Sequence, residues 1–572
     1  MVRLFATHRI RITSELEGLW DFEPWAGAAR SFPDTYRYRL PVPGVWEMHP
    51  DFSSYRGQGV YHRSLHLHEW HNLRLQFGGV SHTADVYLDG VWQAHHYNAY
   101  TAFSTVMAKV APGDHHLVVV VDNRFGPTST LHVPNDYYTY GGLIRPVVLE
   151  TVPELYVEAL RFWPVLEATG WAADISVAVA SLSEEARAFR IEARLGDQSL
   201  TLAQDRLAMA DGVRWYTSRH RFSGIEAWSP EHPNLYDLEL QLFFPEQSDP
   251  QDDLIERVGF RVVSTDSNRV QLNGQSVIFK GFNRHEDYPG VGSAIPFPLM
   301  VQDVELLRQM GANAVRTSHY PNDERFLDLC DAYGLLVWEE HHARGFDLAH
   351  MQRPGFIEQI TASTEEMVLQ HGNHPAIVIW GVFNECASDT DEGRVMYQDQ
   401  IQRIRQLDPS RPVTYASHHR DRDRCWDLVD IVSFNLYPLW YTEETPEALF
   451  ALARKWADAA GGKDKPMIIS EMGADGFYGF RQELKGHGSE ERQAEILQQD
   501  IAAVQHLGLA GMFIWQFADC RVSEARNWLF SRAMGQNSKG VLDRYRRPKL
   551  AYAAVKRGYR LSEQAVDNSP SR

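Results

Sequence analysis

The sequence predicts three domains: two β-sandwiches followed by a (β/α)8 TIM barrel. The 572 residues exceed what one hydrophobic core fills, so roughly two to four domains are expected. Residues 1–152 and 153–265 consist of short, mostly alternating strands separated by turn residues, which is typical of sandwiches. In residues 266–572, apolar strands alternate with helical stretches, which is typical of parallel βα units.

The composition argues against several classes of protein. A net charge of −19 disfavours nucleic acid or an anionic membrane surface as the main partner. No run of about eighteen apolar residues predicts a membrane span, and the first residues lack the apolar core of a secretory signal. Four widely spaced cysteines form no Cys-x-x-Cys pair and are predicted to be free thiols: Cys330, Cys386, Cys425 and Cys520. We therefore expect a cytoplasmic protein.

The first two domains are predicted from strand patterns. In residues 1–152, "NLRLQFGGV" and "HHLVVVVDNR" are apolar-rich, and Asp89-Gly90 inside "ADVYLDGVWQAHHY" is a hairpin signal. In residues 153–265, "DISVAVASL" and "LYDLELQLFF" alternate between apolar and polar positions. Few segments have helical periodicity, so each stretch is predicted to form its own β-sandwich.

Eight strands are predicted in the third domain, with helices or long connections between them. They are "VIFKGFNRH", "NAVRTSHYP", "LLVWEEHH", "AIVIWGVFNE", "PVTYAS", "DIVSFNLYP", "PMIISEMG" and "GMFIWQFAD". Eight βα units in a stretch of this length favour a TIM barrel. An open doubly wound sheet is the alternative, and it is disfavoured because no Gly-rich phosphate loop follows the first strand.

The ends of these strands carry the residues of chemical interest, because barrel active sites lie at the carboxyl ends of the strands. Carboxylates, amides and aromatics dominate, and no Ser or Cys stands beside an obvious base. A glycosidase needs two carboxyl groups, polar groups for sugar hydroxyls and aromatic walls. The strand-end residues are Asn283, His285, Glu286, Asp287, Arg316, His319, Glu339, Glu340, His341, His342, Asn384, Glu385, Asn435, Tyr437, Trp440, Tyr441, Glu471, Trp515 and Asp519.

Other interpretations of these residues were weighed. By position alone Glu340 competes with Glu385, and a strand-end Glu can simply bind a barrel Arg such as Arg316. Histidine pairs at 341–342 and 371–374 raise a metal alternative, but neither resembles His-Glu-x-x-His. We predict no metal and no cofactor.

Several motifs resemble glycoside hydrolase family 2, and within it the β-glucuronidases. "NAVRTSHYP" is similar to the family's first signature, "NHPAIVIWGVFNE" to its acid/base signature and "IISEMG" to its nucleophile motif. The segments "GLWDFEP", "VPGVWE", "GVYHR" and "VDNR" resemble its sugar-binding domain. The resemblance covers nearly the whole chain. It implies a jelly-roll sugar-binding sandwich, an immunoglobulin-like sandwich and the catalytic barrel.

The resemblance also implies roles for individual residues. Glu385 corresponds to the acid/base and Glu471 to the nucleophile, 86 residues later in the chain. Mutual repulsion is expected to keep Glu385 protonated at first. The remaining residues implied to contact or orient the sugar are Asp136, His285, Asn384, Tyr437, Tyr441 and Trp515.

The substrate prediction depends on "GQNSKG". Asn537 and Lys539 match the Asn-x-Lys pair with which the family's β-glucuronidases bind the sugar carboxylate. The family's nearby arginine is displaced, because Arg532 stands one residue too far upstream, and "EEHHARGF" after the third strand is also unusual. The alternative for "GQNSKG" is a plain surface turn.

The resemblance implies an exo-acting, retaining β-glycosidase for terminal β-D-glucuronides, with a small-molecule or oligosaccharide β-uronide as substrate. Alternatives are a β-galacturonidase, a β-galactosidase or β-mannosidase on the same scaffold, and a carbohydrate-binding protein without catalysis. By the same resemblance we expect a homo-oligomer, dimer or tetramer.

Overall fold

The first domain is an antiparallel β-sandwich. A computed structural model describes residues 2–27, 32–245, 247–523 and 532–567, with side chains up to residue 560. One sheet has the order β1-β12-β5-β9 and the other β3-β2-β4-β10-β7-β8, beside a short β11-β6 pair. The strands are β1 (Ile12–Glu15), β2 (Gly18–Trp25), β3 (Tyr38–Val42), β4 (Gln58–Leu67), β5 (His71–Phe77), β6 (Val80–Ser81), β7 (Thr83–Leu88), β8 (Val91–Tyr97), β9 (Phe103–Val110), β10 (Gly113–Asp122), β11 (Gly142–Leu143) and β12 (Val147–Val152).

The sequence pattern explains this sandwich. In β4, Leu65 and Leu67 are buried and His66 is exposed, which is the alternation of a half-buried strand. The predicted hairpin turn is confirmed between β7 and β8. Its two residues, Asp89 and Gly90, both have positive φ, at 51° and 77°, which a two-residue primed turn requires.

The second domain is a smaller sandwich of two antiparallel sheets. Their orders are β13-β14-β17 and β16-β15-β18-β19, and apolar residues of both sheets, such as Val177 and Leu240, form one core. The strands are β13 (Leu155–Glu167), β14 (Gly170–Ser181), β15 (Arg187–Leu195), β16 (Gln198–Leu207), β17 (Arg214–Phe222), β18 (Tyr236–Phe243) and β19 (Asp252–Val258). A three-stranded meander follows, with β20 (Val263–Asp266), β21 (Arg269–Leu272) and β22 (Gln275–Val277).

The third domain is the predicted TIM barrel. Its eight parallel strands have the order β27-β26-β25-β24-β23-β30-β29-β28, and a parallel bridge between Ser417 and Phe434 joins the two ends. Every residue of β26 is buried, as expected for a strand covered on both faces. The strands are β23 (Phe279–Asn283), β24 (Ala314–Thr317), β25 (Leu336–Glu340), β26 (Ile377–Asn384), β27 (Val413–Ala416), β28 (Val432–Asn435), β29 (Met467–Met472) and β30 (Gly511–Ile514); a short β31 (Cys520–Arg521) pairs with β32 (Gln536–Asn537).

Helices cover the barrel after seven of the eight strands. They are α1 (Phe297–Gln309), α2 (Glu324–Tyr333), α3 (Leu348–Met351), α4 (Phe356–His371), α5 (Asp391–Leu407), α6 (Pro446–Ala457), α7 (Glu490–His506) and α8 (Leu550–Asp567). The eight predicted strands are confirmed, and their connections contain α-helices except between β27 and β28, where the connection contains a 3-10 turn, Arg420–Arg422, and no α-helix. Among the described residues, no helix is both long and apolar enough to cross a membrane.

The first sandwich reaches over the mouth of the barrel through its loop of residues 123–141. Tyr140 donates its hydroxyl to Asp287 Oδ1 at 2.8 Å, just beyond β23. Farther along the chain, Arg145 Nη2 donates to Glu286 Oε2 at 2.9 Å. Glu286 and Asp287, two of the strand-end carboxylates, therefore hold the domains together, and they fix the loop that carries Asp136.

Candidate active site

Glu385 stands at a sharp backbone turn directly after β26. Phe383 and Glu385 have positive φ, 35° and 53°, a region that side-chain-bearing residues rarely adopt. The Glu385 amide donates to the carbonyl of Ala416, the last residue of β27, at 2.9 Å. Strained backbone of this kind is concentrated at functional sites. The turn fixes the Glu385 carboxylate at the carboxyl end of the barrel, where the sequence predicted it.

Three groups surround the Glu385 carboxylate. Asn435 Nδ2, at the end of β28, donates to Oε1 at 3.0 Å. Arg344 Nη2, in the loop after β25, lies 3.6 Å from Oε2, and His418 Nδ1, after β27, lies 3.8 Å from Oε1. Glu385 is thus held between an amide donor, a permanent cation and a titratable ring.

Glu471, near the end of β29, has its own set of donors. Arg316 Nη1 donates to Oε1 at 3.0 Å, and the Tyr437 hydroxyl donates to Oε2 at 2.7 Å. The side chain is 4% exposed. This hydrogen bond supports the prediction that Tyr437 orients Glu471. An N–H and an O–H aimed at the two oxygens hold the carboxyl group in one orientation.

Arg316 joins most of the polar residues at the barrel mouth. Its guanidinium donates to both oxygens of Glu340 at 2.9 Å, in the bidentate geometry that arginine favours. It also donates to Asn283 Oδ1 and Asn384 Oδ1, each at 2.9 Å. Glu340, the positional competitor of Glu385, is consequently occupied in holding Arg316, while Arg316 in turn holds Glu471.

The two glutamates have shifted pKa values of opposite direction. Burial and the charge of Glu385 raise the pKa of Glu471 to about 7, against the opposing effect of Arg316 and Tyr437. Burial also acts to raise the pKa of Glu385, but His418, Arg344 and Asn435 together lower it to about 2. The two carboxyl groups therefore titrate as one coupled pair, which holds a single proton between those two values.

The sequence analysis expects repulsion to keep Glu385 protonated at the start of the reaction. Repulsion between the carboxyl groups does raise one pKa of the pair. Arg344 and His418, two residues that the sequence could not place beside Glu385, act against the expectation because their charges lower the pKa of Glu385.

The adjacent histidines 341 and 342 point to different partners. His341 Nε2 accepts from the Phe383 amide at 2.7 Å, and His342 Nε2 shares a hydrogen bond of 2.8 Å with the Tyr137 hydroxyl. Burial lowers the pKa of both rings to about 3, so both are neutral. Their roles are to shape the turn after β26 and to hold the sandwich loop.

One buried group among the described residues brings ligand atoms of three potential metal-binding side chains within 4.8 Å of one another: Asp328, Asp331 and His374. These atoms already have protein partners. Arg3 and the Leu4 amide bind Asp328, with Arg3 Nη2 at 2.6 Å, and His374 Nδ1 lies 2.5 Å from Asp331 Oδ2. This group ties the N-terminal segment to the barrel.

A cluster of charged and amide groups lies beside the strand ends and contains both residues predicted from "GQNSKG". Asn537 Nδ2 donates to Asp136 Oδ2 at 2.9 Å. Arg532 binds the same carboxylate in a bidentate pair, Nε to Oδ1 at 2.9 Å and Nη2 to Oδ2 at 2.5 Å. Lys539 Nζ binds Asp475 Oδ1 at 3.2 Å. We call these five residues the Arg532–Lys539 cluster.

The cluster is not a surface turn. Lys539 is 1% exposed, and its ammonium lies over the rings of Trp440 and Tyr441, 5.8 Å and 5.2 Å from their centroids. Burying an ammonium is costly without an anionic partner. Arg532 was one residue out of register in the sequence, yet the structure brings it into the cluster through Asp136.

The remaining predicted residues line the same region. The Trp515 ring stacks on His319 at 5.1 Å and meets His285 edge-on at 5.4 Å. His285 Nδ1 is hydrogen-bonded to the Tyr320 hydroxyl at 3.1 Å. Tyr441 is 58% exposed and packs edge-on against Tyr437 at 5.2 Å, so it forms the outer rim.

Several buried polar atoms in this region have no hydrogen-bond partner within the part of the chain that the structure describes. Near the glutamate pair they are His285 Nε2, His319 Nε2, Asn384 Nδ2 and Arg344 Nε. An unsatisfied buried polar atom costs about 1–3 kcal/mol. Their convergence at the barrel mouth indicates a site for a polyhydroxylated ligand, which would supply the missing partners.

The sequence analysis missed the contributions of Arg344, Asn435 and Asp475. Arg344 was visible as an unusual residue in "EEHHARGF", and Asn435 ends a predicted strand, but neither was predicted to contact Glu385 or Glu471. Asp475 lies only four residues after Glu471 in the loop that follows β29. A search extended from the strand ends into those loops would have found it.

Comparisons with known proteins agree with this architecture. The family models for the sugar binding domain, the family 2 domain and the TIM barrel domain of glycosyl hydrolases family 2 match residues 15–153, 155–261 and 263–563. The beta-glucuronidase of Homo sapiens is 30% identical over 616 aligned positions, covering 96% of this chain and 91% of that protein.

Solved structures extend the comparison. A GH2 beta-galacturonidase from Eisenbergiella tayi superposes with a TM-score of 0.93 at 43% identity, covering 98% of both chains. A beta-D-glucuronidase of Dictyoglomus thermophilum has a TM-score of 0.81 at 26% identity, covering 96% of this chain and 97% of that one. With all three family models matched in order, the chain belongs to glycosyl hydrolases family 2 and is a glycosidase.

Proposed function

We propose that this enzyme is an exo-acting, retaining β-glycosidase that releases a terminal β-D-hexuronate, with galacturonate preferred and glucuronate as the second candidate. The sequence analysis put glucuronate first. The identities support the opposite order, since they are 43% to a β-galacturonidase against 30% and 26% to β-glucuronidases. The observation that carries the uronate assignment is the buried Lys539 ammonium. It lies over the Tyr441 ring, which packs against Tyr437, the hydrogen-bond partner of Glu471.

In the proposed reaction, Glu471 attacks the anomeric carbon while Glu385 protonates the departing glycosidic oxygen. Water activated by Glu385 then hydrolyses the glycosyl ester on Glu471. The hydrogen bonds from Arg316 and Tyr437 suit Glu471 for this role, because they fix the orientation of its carboxylate. The hydrogen bond from Arg316 becomes stronger when Glu471 is fully ionised, because its acceptor is then charged.

The reaction needs the single proton of the pair on Glu385 when the substrate is bound. A glycosidic oxygen beside Glu385 is a hydrogen-bond acceptor, so it can bond the protonated form of Glu385 but not the ionised form. Once Glu471 has lost its proton, the hydrogen bonds from Arg316 and Tyr437 are made to a negatively charged acceptor. Substrate binding thus favours the form with Glu385 protonated, by transfer of one proton within the pair.

The sugar hydroxyls have candidate partners among the unsatisfied atoms. Asn384 keeps Nδ2 for the 2-hydroxyl, because its Oδ1 accepts from Arg316 and Asn435. His285 Nε2 is open for another hydroxyl. Trp515 and Tyr441 supply aromatic walls, and Asp136 comes from the sandwich loop. The loop of residues 123–141 crosses the barrel mouth. This supports cleavage at the end of a sugar chain, which is the exo mode.

The sugar carboxylate is assigned to Lys539, assisted by Asn537. An ammonium pairs with a carboxylate but gains little from a neutral hydroxymethyl group. This argues against the β-galactosidase and β-mannosidase alternatives.

A panel of aryl β-glycosides tests the proposal: galacturonide, glucuronide, galactoside, glucoside and mannoside. We expect the largest kcat/KM on galacturonide, glucuronide next and the neutral sugars roughly thirtyfold to 150-fold lower, the factor that a lost charged contact of about 2–3 kcal/mol gives. A galactoside hydrolysed as well as the galacturonide would refute the uronate assignment. NMR of the first-formed sugar tests retention, and an α-configured product would exclude double displacement.

Three further expectations belong to the same proposal. The four cysteines are unpaired and buried, which supports a reducing, cytoplasmic location. The family resemblance supports a homo-oligomer, which light scattering on the purified protein would test. We also propose domain limits at residues 1–152, 153–265 and 266–572.

A further inference from the structure

We propose that Asp475 reads the C4 hydroxyl of the bound uronate and thereby sets the preference between the two C4 epimers, galacturonide and glucuronide. This inference rests on the proposed function, because it assumes that Lys539 binds the sugar carboxylate. The geometry that points to it is the contact between Asp475, in the loop that follows Glu471, and the buried Lys539 ammonium.

Asp475 contacts the ammonium that is proposed to bind the sugar carboxylate. It follows Glu471 by four residues, in the loop after β29. Its Oδ1 is 3.2 Å from Lys539 Nζ, and its Oδ2 is 3.8 Å from Arg532 Nη1, beyond hydrogen-bond reach. The side chain is 15% exposed, so it is partly accessible to a ligand.

The two carboxylates of the Arg532–Lys539 cluster differ in the number of hydrogen bonds that they accept. Asp136 accepts on Oδ1 from Arg532 Nε, and on Oδ2 from Arg532 Nη2 and Asn537 Nδ2. Asp475 accepts on Oδ1 from Lys539, whereas no hydrogen bond to its Oδ2 occurs among the described residues. Asp475 is therefore the carboxylate of this cluster with one oxygen that accepts no hydrogen bond from the described residues, whereas both oxygens of Asp136 already accept at least one.

The two epimers differ at the carbon next to the one that carries the carboxyl group. In a hexuronate the carboxyl group is attached to C5, and the hydroxyl on the neighbouring C4 is axial in galacturonate and equatorial in glucuronate. A protein group that touches the carboxylate-binding ammonium is within reach of that hydroxyl. A hydrogen bond from a hydroxyl to a charged acceptor is directional and strong, so it is made by one epimer and left unmade by the other.

The test compares wild type with Asp475→Asn on three aryl β-uronides: galacturonide, glucuronide and the 4-deoxy-hexuronide, which lacks the hydroxyl that distinguishes the epimers. We expect Asp475→Asn to lower kcat/KM on the preferred epimer by about tenfold to a hundredfold, the range of one charge-assisted hydrogen bond. Activity on the other epimer and on the 4-deoxy compound should change less than about threefold, so the ratio between epimers should collapse.

The matched control is Asp427→Asn, because Asp427 is a surface carboxylate paired with Arg394 and lies outside the site. It should leave all three rates unchanged. An Asp475→Asn variant that loses activity equally on all three uronides would overturn the proposal, since Asp475 would then only position Lys539. An unchanged epimer ratio would overturn it as well. A wild type that hydrolyses no uronide would instead refute the proposed function.

Discussion

Replacing Lys539 with alanine separates uronate recognition from the chemistry of hydrolysis. The ammonium is 1% exposed and 3.2 Å from Asp475, so a bound carboxylate would meet it in a largely desolvated setting. Removing a charged partner in such a setting costs about 2–5 kcal/mol. At tenfold per 1.4 kcal/mol, kcat/KM on an aryl galacturonide should fall by roughly thirtyfold to several-thousandfold.

The neutral sugar of the same configuration provides the comparison. An aryl galactoside does not use the ammonium, so its kcat/KM should change little, and the galacturonide-to-galactoside ratio should collapse. Leaving Asp475 unpaired affects the free enzyme equally for both substrates, and the ratio cancels this effect. Lys485→Ala is the control, because Lys485 is exposed and pairs with Glu495 on the surface. Equal losses on both sugars for Lys539→Ala would refute the reasoning.

Arg532→Ala should behave differently from Lys539→Ala, whereas Asn537→Ala should combine a loss on both sugars with a weaker selective loss on galacturonide. Arg532 and Asn537 both donate to Asp136, and Asn537 Oδ1 also accepts from the Lys539 amide at 3.3 Å. Their loss releases Asp136, which is proposed to contact sugar hydroxyls. Kinetics on the same pair of substrates should therefore show losses on both galacturonide and galactoside. A selective loss on galacturonide for Arg532→Ala would assign the carboxylate contact to Arg532.

The other predictions concern the glutamate pair and a buried carboxyl group. With an activated aryl leaving group, Glu385→Ala should keep faster glycosylation than Glu471→Ala. Azide should restore the activity of Glu385→Ala and give a β-glycosyl azide. If azide instead gave the β-glycosyl azide with Glu471→Ala, the two roles would be reversed. The one-proton form of the pair is active, so kcat/KM against pH should rise through about 2 and fall through about 7, and a rate still climbing above pH 8 would contradict this. Asp500 on α7 is buried, its two oxygens have no partner among the described residues, and burial raises its pKa well above the ordinary value. Because its folded pKa is raised, Asp500 destabilises the fold as pH rises above about 4, so Asp500→Asn should raise Tm at pH 7 by an amount that shrinks towards pH 4; an unchanged Tm at pH 7 would contradict this.

Local patterns in the sequence determined most of the fold. The eight barrel strands were predicted because each is a short apolar run, and strands covered on both faces must be apolar throughout. The Asp89-Gly90 turn was predicted because few residue pairs accept two positive φ values in succession. The missing helix between β27 and β28 was not predicted, since strand pattern alone does not show what covers the barrel at that point.

The sequence also placed Glu385 and Glu471 at the barrel mouth, because each stands at the end of a buried strand and strand ends converge at one face of a barrel. It could not determine their pKa values. Those depend on Arg344, His418 and Asn435, which lie at or just after the ends of three different strands and meet Glu385 only in the folded chain.

The burial of the Arg532–Lys539 cluster was likewise decided by the tertiary structure. "GQNSKG" alone is compatible with a surface turn, and only the packing of Trp440 and Tyr441 over Lys539 makes it a buried cationic site. Asp136 and Arg532 are 396 residues apart in the chain and form a bidentate pair. Sequence patterns report local periodicity and turn chemistry, whereas the charge and pKa of a buried group depend on neighbours at such separations, which only the folded chain brings together.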